Sequence, residues 1–126
     1  MLLDTHVVLW ALEDHTLLSR DMIELLRVHP RPDFIVSVAS LWEVAIKMAK
    51  GKLRAPADFP DRLSRDGFEL LPVSAKHAWA VGSVPQILAQ KDPFDRLIFT
   101  QAKLDGLVLA TRDAALLRSG LHVVAA

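Results

Sequence analysis

Five acids in this chain stand where helices should begin, and together they could do chemistry that none does alone. In Lys91-Asp92-Pro93-Phe94-Asp95-Arg96-Leu97-Ile98 two carboxylates lie three residues apart. Asp92 suits the N-cap, Pro93 the first helical position and Asp95 the third, where unpaired N–H groups and the positive dipole end favour ionised acids. Asp4 follows Met1-Leu2-Leu3, Glu43 follows the apolar run Phe34-Ile35-Val36-Ser37-Val38, and Asp113 follows Leu107-Val108-Leu109-Ala110. Each acid by itself also reads as a cap or, for Glu43, as the partner of Ser40 in a capping box or of Lys47 at i,i+4. Converging carboxylates repel one another unless a cation sits among them. With no cysteine and no paired histidine the donors are all oxygen, which selects Mg²⁺ or Mn²⁺ over zinc. Such an ion suits phosphodiester hydrolysis, because it activates water and neutralises charge building on phosphate oxygens.

The elements that must position these acids alternate between two periods. Met1-Leu2-Leu3 reads as a short buried strand, and Asp4-Thr5 opens a helix through Leu12. A second helix starts at Ser19, with Met22, Ile23, Leu25 and Leu26 on one face, and ends before Pro30 and Pro32. Phe34 to Val38 fits a buried parallel strand. The following helix is predicted from Ser40 to a stop at Gly51, with Trp42, Ala45, Ile46 and Ala49 as its apolar stripe. Pro56 to Gly67 gives a loop and a short helix anchored by Leu63. Phe68 to Val73 is a strand that Pro72 confines to an edge or an end. Ser74 caps a helix through Ala78, Trp79 and Val81. A helix from Pro93 to Gly106, a strand over Leu107–Ala110, a short helix ending near Gly120 and a last strand over His122–Val124 complete the chain. This alternation predicts α/β architecture: a three-layer α/β/α sandwich in one domain, 1–126, with a parallel central sheet. Sites in such sheets form outside the carboxyl ends of the strands, and chain order assigns every acid named above to that edge.

Composition narrows the class. A chain of 126 residues can bury a core without disulfide or metal staples. The hydrophobic share of 52% and mean hydropathy of +0.27 leave apolar surface for a partner. No apolar run reaches the roughly 20 residues of a membrane span, and no basic segment precedes a signal core. The absence of cysteine fits a cytoplasmic protein. Lys+Arg and Asp+Glu both number 15, so any nucleic-acid contact must come from a local patch.

Three segments then resemble a known family. Leu2-Leu3-Asp4-Thr5-His6-Val7-Val8-Leu9-Trp10, Ser37-Val38-Ala39-Ser40-Leu41-Trp42-Glu43-Val44-Ala45-Ile46-Lys47 and Asp92-Pro93-Phe94-Asp95-Arg96-Leu97-Ile98 look like a PIN domain of the VapC-type toxins of prokaryotic toxin–antitoxin pairs. Gly51-Lys52-Leu53 and Thr111-Arg112-Asp113 match in the same order. The resemblance implies a Mg²⁺- or Mn²⁺-dependent ribonuclease cutting RNA through a metal-activated water. It implies Asp4, Glu43 and Asp95 as core acids, Asp113 as the fourth, and Asp4 and Asp95 as the main metal ligands. Asp92 becomes a cap with an outer-shell role. Homodimers and a cognate antitoxin that blocks the acidic pocket with a basic side chain are further implications. The chain departs from the family twice: relatives carry a few residues before Leu-Leu-Asp, so a clipped first strand or a misassigned start at Met1 is expected, and Gln90-Lys91 stands where a His is common.

Around these acids, Thr5 and Thr111 adjoin two of them and are candidates to hydrogen-bond them, although local backbone capping is their commoner role. Lys47, Lys50, Lys52 and Arg54 form the one basic cluster, readable as a phosphate-contacting patch or as a solvated helix end. His6 reads as a helix residue, and Trp10, Trp42 and Trp79 as core or dimer packing. Rival functions are a receiver-type phosphoacceptor, which needs paired acids after the first strand and a Lys after a late one, and a catalytically silent PIN-like binding module. A haloacid-dehalogenase-like phosphatase needs an Asp where His6 stands.

Overall fold

The computed structural model describes residues 1–126 as five parallel strands and seven α-helices. The strands are β1 (Leu2–Leu3), β2 (Ile35–Ser37), β3 (Glu69–Leu71), β4 (Leu109–Thr111) and β5 (Val123–Ala125), in the order β3-β2-β1-β4-β5. Short as it is, β1 lies at the centre. Leu2 pairs with Ile35 and Leu109, and Leu3 with Val36 and Ala110. Both leucines are fully buried, as a strand covered on two faces requires.

Alternation along the strands divides the core. Leu3, Val36 and Ala110 face a layer built from α1 (Thr5–Glu13), α2 (Arg20–Val28) and α4 (Phe59–Arg65), through Val7, Val8, Met22, Leu26, Phe59 and Leu63. Leu2 and Leu109 face α6 (Pro93–Leu104) and α7 (Ala114–Leu117), through Leu97, Ile98, Ala102 and Leu116. The remaining helices, α3 (Val38–Ala49) and α5 (Ala75–Ala80), flank these layers. The predicted three-layer α/β/α sandwich is the observed architecture. No helix is long and apolar enough to cross a membrane.

Three expectations change. The helix predicted from Ser40 begins earlier: Ser37 ends β2 and caps α3, its hydroxyl accepting from the Ala39 amide at 2.9 Å. Ser40 is therefore inside the helix, bonded to Thr5 Oγ1 at 2.9 Å, and no Ser40–Glu43 capping box forms. Glu43 consequently sits in the second turn of α3, not the first. The apolar stripe of α3 also faces the other way. Ala39, Ser40, Glu43 and Val44 are buried, whereas Trp42, Ala45 and Ala49 are exposed. A helix wedged against the acid cluster turns its polar, functional face inward. Finally, Thr111 lies within β4 and Val108 outside it, which moves the strand one residue toward its carboxyl end.

Candidate active site

The strand order reverses between β1 and β4, and in open parallel sheets ligands bind at the carboxyl ends beside such a switch point. Asp4 ends β1 and caps α1. Its Oδ1 accepts from the Thr5 amide at 2.8 Å and its Oδ2 from Thr111 Oγ1 at 2.7 Å. Thr111 thus fixes Asp4 from the neighbouring strand, and its hydroxyl also accepts from the Asp113 amide at 3.0 Å. The Thr111 side chain thus holds Asp4, whereas Thr5 reaches it only through its backbone amide and turns its hydroxyl to Ser40 Oγ.

A cleft of about 350 Å³ opens there, lined by Asp4, His6, Val7, Trp10, Glu43, Lys47, Asp95, Arg112 and Asp113. Four of the five acids singled out in the sequence therefore share one cavity. Asp92 does not line it. As the N-cap of α6 it accepts from the Phe94 amide at 2.9 Å, and its Oδ2 lies 3.4 Å from Lys47 Nζ. The other cations divide too. Lys47 enters the cleft and donates to Glu43 Oε2 at 2.5 Å, whereas Lys50, Lys52 and Arg54 are exposed beyond it.

Crowding shows in the acid–base balance. Burial, followed by the charges of Asp4, Glu43 and Asp92, raises the Asp95 carboxyl to about 7. Burial also raises Asp4, against the pull of its Thr111 and Thr5 hydrogen bonds. Asp113 goes the other way: burial opposes ionisation, but the bond from Lys91 and the Leu116 and Ala115 amides hold its carboxyl below the usual value. Burial alone would lower Lys47, and the Glu43 and Asp92 carboxylates outweigh it and raise it.

The donor set suits a hard cation. The Glu43 Oε1 atom is buried with no hydrogen-bond partner, and apart from His6 the side-chain acceptors lining the cleft are carboxylate oxygens. As arranged, however, no three acids form a group able to hold one ion, and Lys47 and Lys91 bond to Glu43 and Asp113.

Sequence reasoning missed several residues. Lys91 bonds Asp113. Arg112 lines the cleft, and its guanidinium lies 5.2 Å from the Trp10 ring centroid. Trp10, assigned to packing, is only partly buried and reaches the cavity, while Trp42 and Trp79 are exposed at 54% and 89%. For Arg112 the available signal was its place next to Thr111, and for Trp10 its place on the helix that Asp4 caps. Buried Gln101, which with Ala102 follows the third matching segment but had no role assigned to it, joins Ser37 Oγ to the Pro72 carbonyl, the latter at 3.2 Å.

The sequence profile of the PIN domain matches residues 1–120. The chain belongs to the PIN domain family. No curated protein matches the sequence of this PIN domain. Solved structures do resemble it. VapBC2 from Rickettsia felis, bound to a DNA fragment from its promoter, has a TM-score of 0.70 at 22% identity, covering 98% of this chain and 96% of that one. FitAcB from Neisseria gonorrhoeae has a TM-score of 0.70 at 20% identity, with coverage of 98% and 96%. A toxin–antitoxin complex from Klebsiella pneumoniae has a TM-score of 0.65 at 22% identity, with coverage of 98% and 95%. At these identities the likeness is one of fold. The receiver-type rival lapses with the family, and its fold places the strands in the order 2-1-3-4-5.

Proposed function

We propose that this PIN domain, residues 1–126 acting as one domain, is a metal-dependent endoribonuclease and the VapC-type toxin of a toxin–antitoxin pair. The observation that carries the reading is the convergence of Asp4, Glu43 and Asp95 on one cleft, with Asp95 raised to about 7 by burial and by its neighbours. A site that destabilises its own carboxylates in this way is suited to a cation. Asp4 and Asp95 would hold Mg²⁺ or Mn²⁺, and Glu43 and Asp113 would complete the shell or orient water. When bound, the ion supplies Lewis-acid charge and a water of lowered pKa.

The chain's own residues do the rest. Thr5 and Thr111 pin both oxygens of Asp4, so the carboxylate is aimed before substrate arrives. Asp92 fixes the start of α6 and thereby Asp95, one turn into the helix. Lys47 spans Glu43 and Asp92 and brings positive charge to the acidic wall, where a phosphate would otherwise be repelled. Lys50, Lys52 and Arg54, outside the cleft, extend a basic track for the RNA backbone.

The toxin role draws on the fold shared with a chain of the toxin–antitoxin complex from Klebsiella pneumoniae. A cognate antitoxin would block the acidic cleft with a basic side chain, and exposed Trp42 and Trp79 leave apolar surface for a homodimer. Purified protein should cut RNA with Mg²⁺ and fall silent in EDTA. Asp4→Asn or Asp95→Asn should lower the rate by a factor on the order of 100 or more with an unchanged circular dichroism spectrum. Undiminished cleavage by Asp4→Asn would remove the assignment, and a folded protein that binds RNA without cutting it would leave the silent binding module.

A further inference from the structure

The cleft is lined by two kinds of side chain. Asp4, Glu43, Asp95 and Asp113 are acids, and His6, Trp10 and Arg112 bring aromatic rings and a guanidinium. His6 and Trp10 stand one turn apart on α1, with ring centroids 5.8 Å apart at 45°. Arg112 follows β4 between Thr111, which holds Asp4, and Asp113, so consecutive residues serve both kinds of lining. Its guanidinium is fixed twice, by a hydrogen bond to the Leu17 carbonyl and by the Trp10 ring at 5.2 Å. An exposed arginine held this way presents a planar, charged group at the cavity lining.

We propose that Trp10, Arg112 and His6 form a stacking subsite for the base of a nucleotide flanking the bond to be cut, an inference that rests on the ribonuclease reading of the adjoining acids. Nucleobases stack on aromatic rings and on guanidinium planes. Arg112, backed by the indole, offers its outer face to the base and its N–H edge to the neighbouring phosphate, a combination that Lys cannot reproduce. The acids repel the backbone, so contacts to bases and cations must hold the strand beside them. The subsite takes a single-stranded segment, because a base inside a duplex presents no free face.

The test uses the full chain carrying Asp95→Asn, so that the strand survives, and a single-stranded oligoribonucleotide whose bases are removed one at a time while the phosphates stay. Fluorescence anisotropy should show a loss of affinity of roughly ten- to hundredfold at one or two adjacent positions. Adding Trp10→Leu or Arg112→Lys should weaken the intact strand by a similar factor and make those positions indifferent to base removal. Trp10→Phe should keep the positional profile, which separates stacking from loss of fold. A flat profile, or one unchanged by Trp10→Leu, overturns the subsite. Cleavage by the parent protein is measured separately: an inert parent that keeps the positional profile would overturn the nuclease reading and leave the stacking subsite standing.

Discussion

Asp95 is the residue at which the energetics of the site are most exposed. Its pKa is raised to about 7, first by burial and then by Asp4, Glu43 and Asp92. In the unfolded chain the group titrates near 4. The folded state therefore binds the extra proton between those values, so its contribution to stability is fully present below about pH 4 and is lost as pH rises toward 7. Asp4, also raised, adds in the same sense. Urea unfolding of metal-free protein should give a midpoint that falls from pH 5 to pH 8, and Asp95→Asn should flatten that slope. Mn²⁺ affinity, measured by calorimetry, should rise with pH through about 7, since the ligand must first lose its proton. A midpoint independent of pH in this window would contradict the crowding of the acids.

At the scale of elements, the site depends on how the start of α3 is tied to the later turns of α6. Ser37 caps α3 and at the same time donates to Gln101 of α6, whose amide nitrogen reaches the Pro72 carbonyl beyond β3. One fully buried side chain thus ties the helix bearing Glu43 to the helix bearing Asp95. Gln101→Leu strands the Ser37 hydroxyl and the Pro72 carbonyl. It should cost about 1–3 kcal/mol by urea denaturation and lower cleavage more than that loss of folded population explains. Thr111→Val, which frees Asp4 Oδ2, should lower Mn²⁺ affinity roughly 10-fold, within the range for residues that orient ligands.

Across the whole molecule, the parallel order β3-β2-β1-β4-β5 places Asp4 and Asp113 on either side of the switch point and leaves α3 and α6 to close the cavity. Folding brings carboxylates together at a cost in repulsion, and a cation that binds only this arrangement should return it. Mg²⁺ or Mn²⁺ at about one hundred times its dissociation constant should raise the melting temperature by roughly 5–10 °C. Asp4→Asn should abolish that rise, and differential scanning calorimetry would detect its absence.

How much of this was legible beforehand follows from the range of the interactions. Local ones were readable. The apolar β-branched runs, the Asp92-Pro93 helix start, the Ser19 and Ser74 caps and the glycine after α3 are set by neighbours within a few residues, and they yielded the alternation and hence the sandwich. The acids followed because each sits near a strand-to-helix turn, where backbone polarity alone marks the place. What only the tertiary structure decided was facing. Ser40 reads as a cap beside Glu43, but the Thr5 hydroxyl draws it inside the helix and Ser37 takes over. Trp42 reads as core because its stripe is apolar, yet the acid cluster claims the opposite face of α3. Arg112 and Trp10, roughly a hundred residues apart in the chain, met over the same cleft only because β1 and β4 are neighbours. Sequence spacing fixes which residues share a helix or strand, and packing across the sheet decides which of them look at one another.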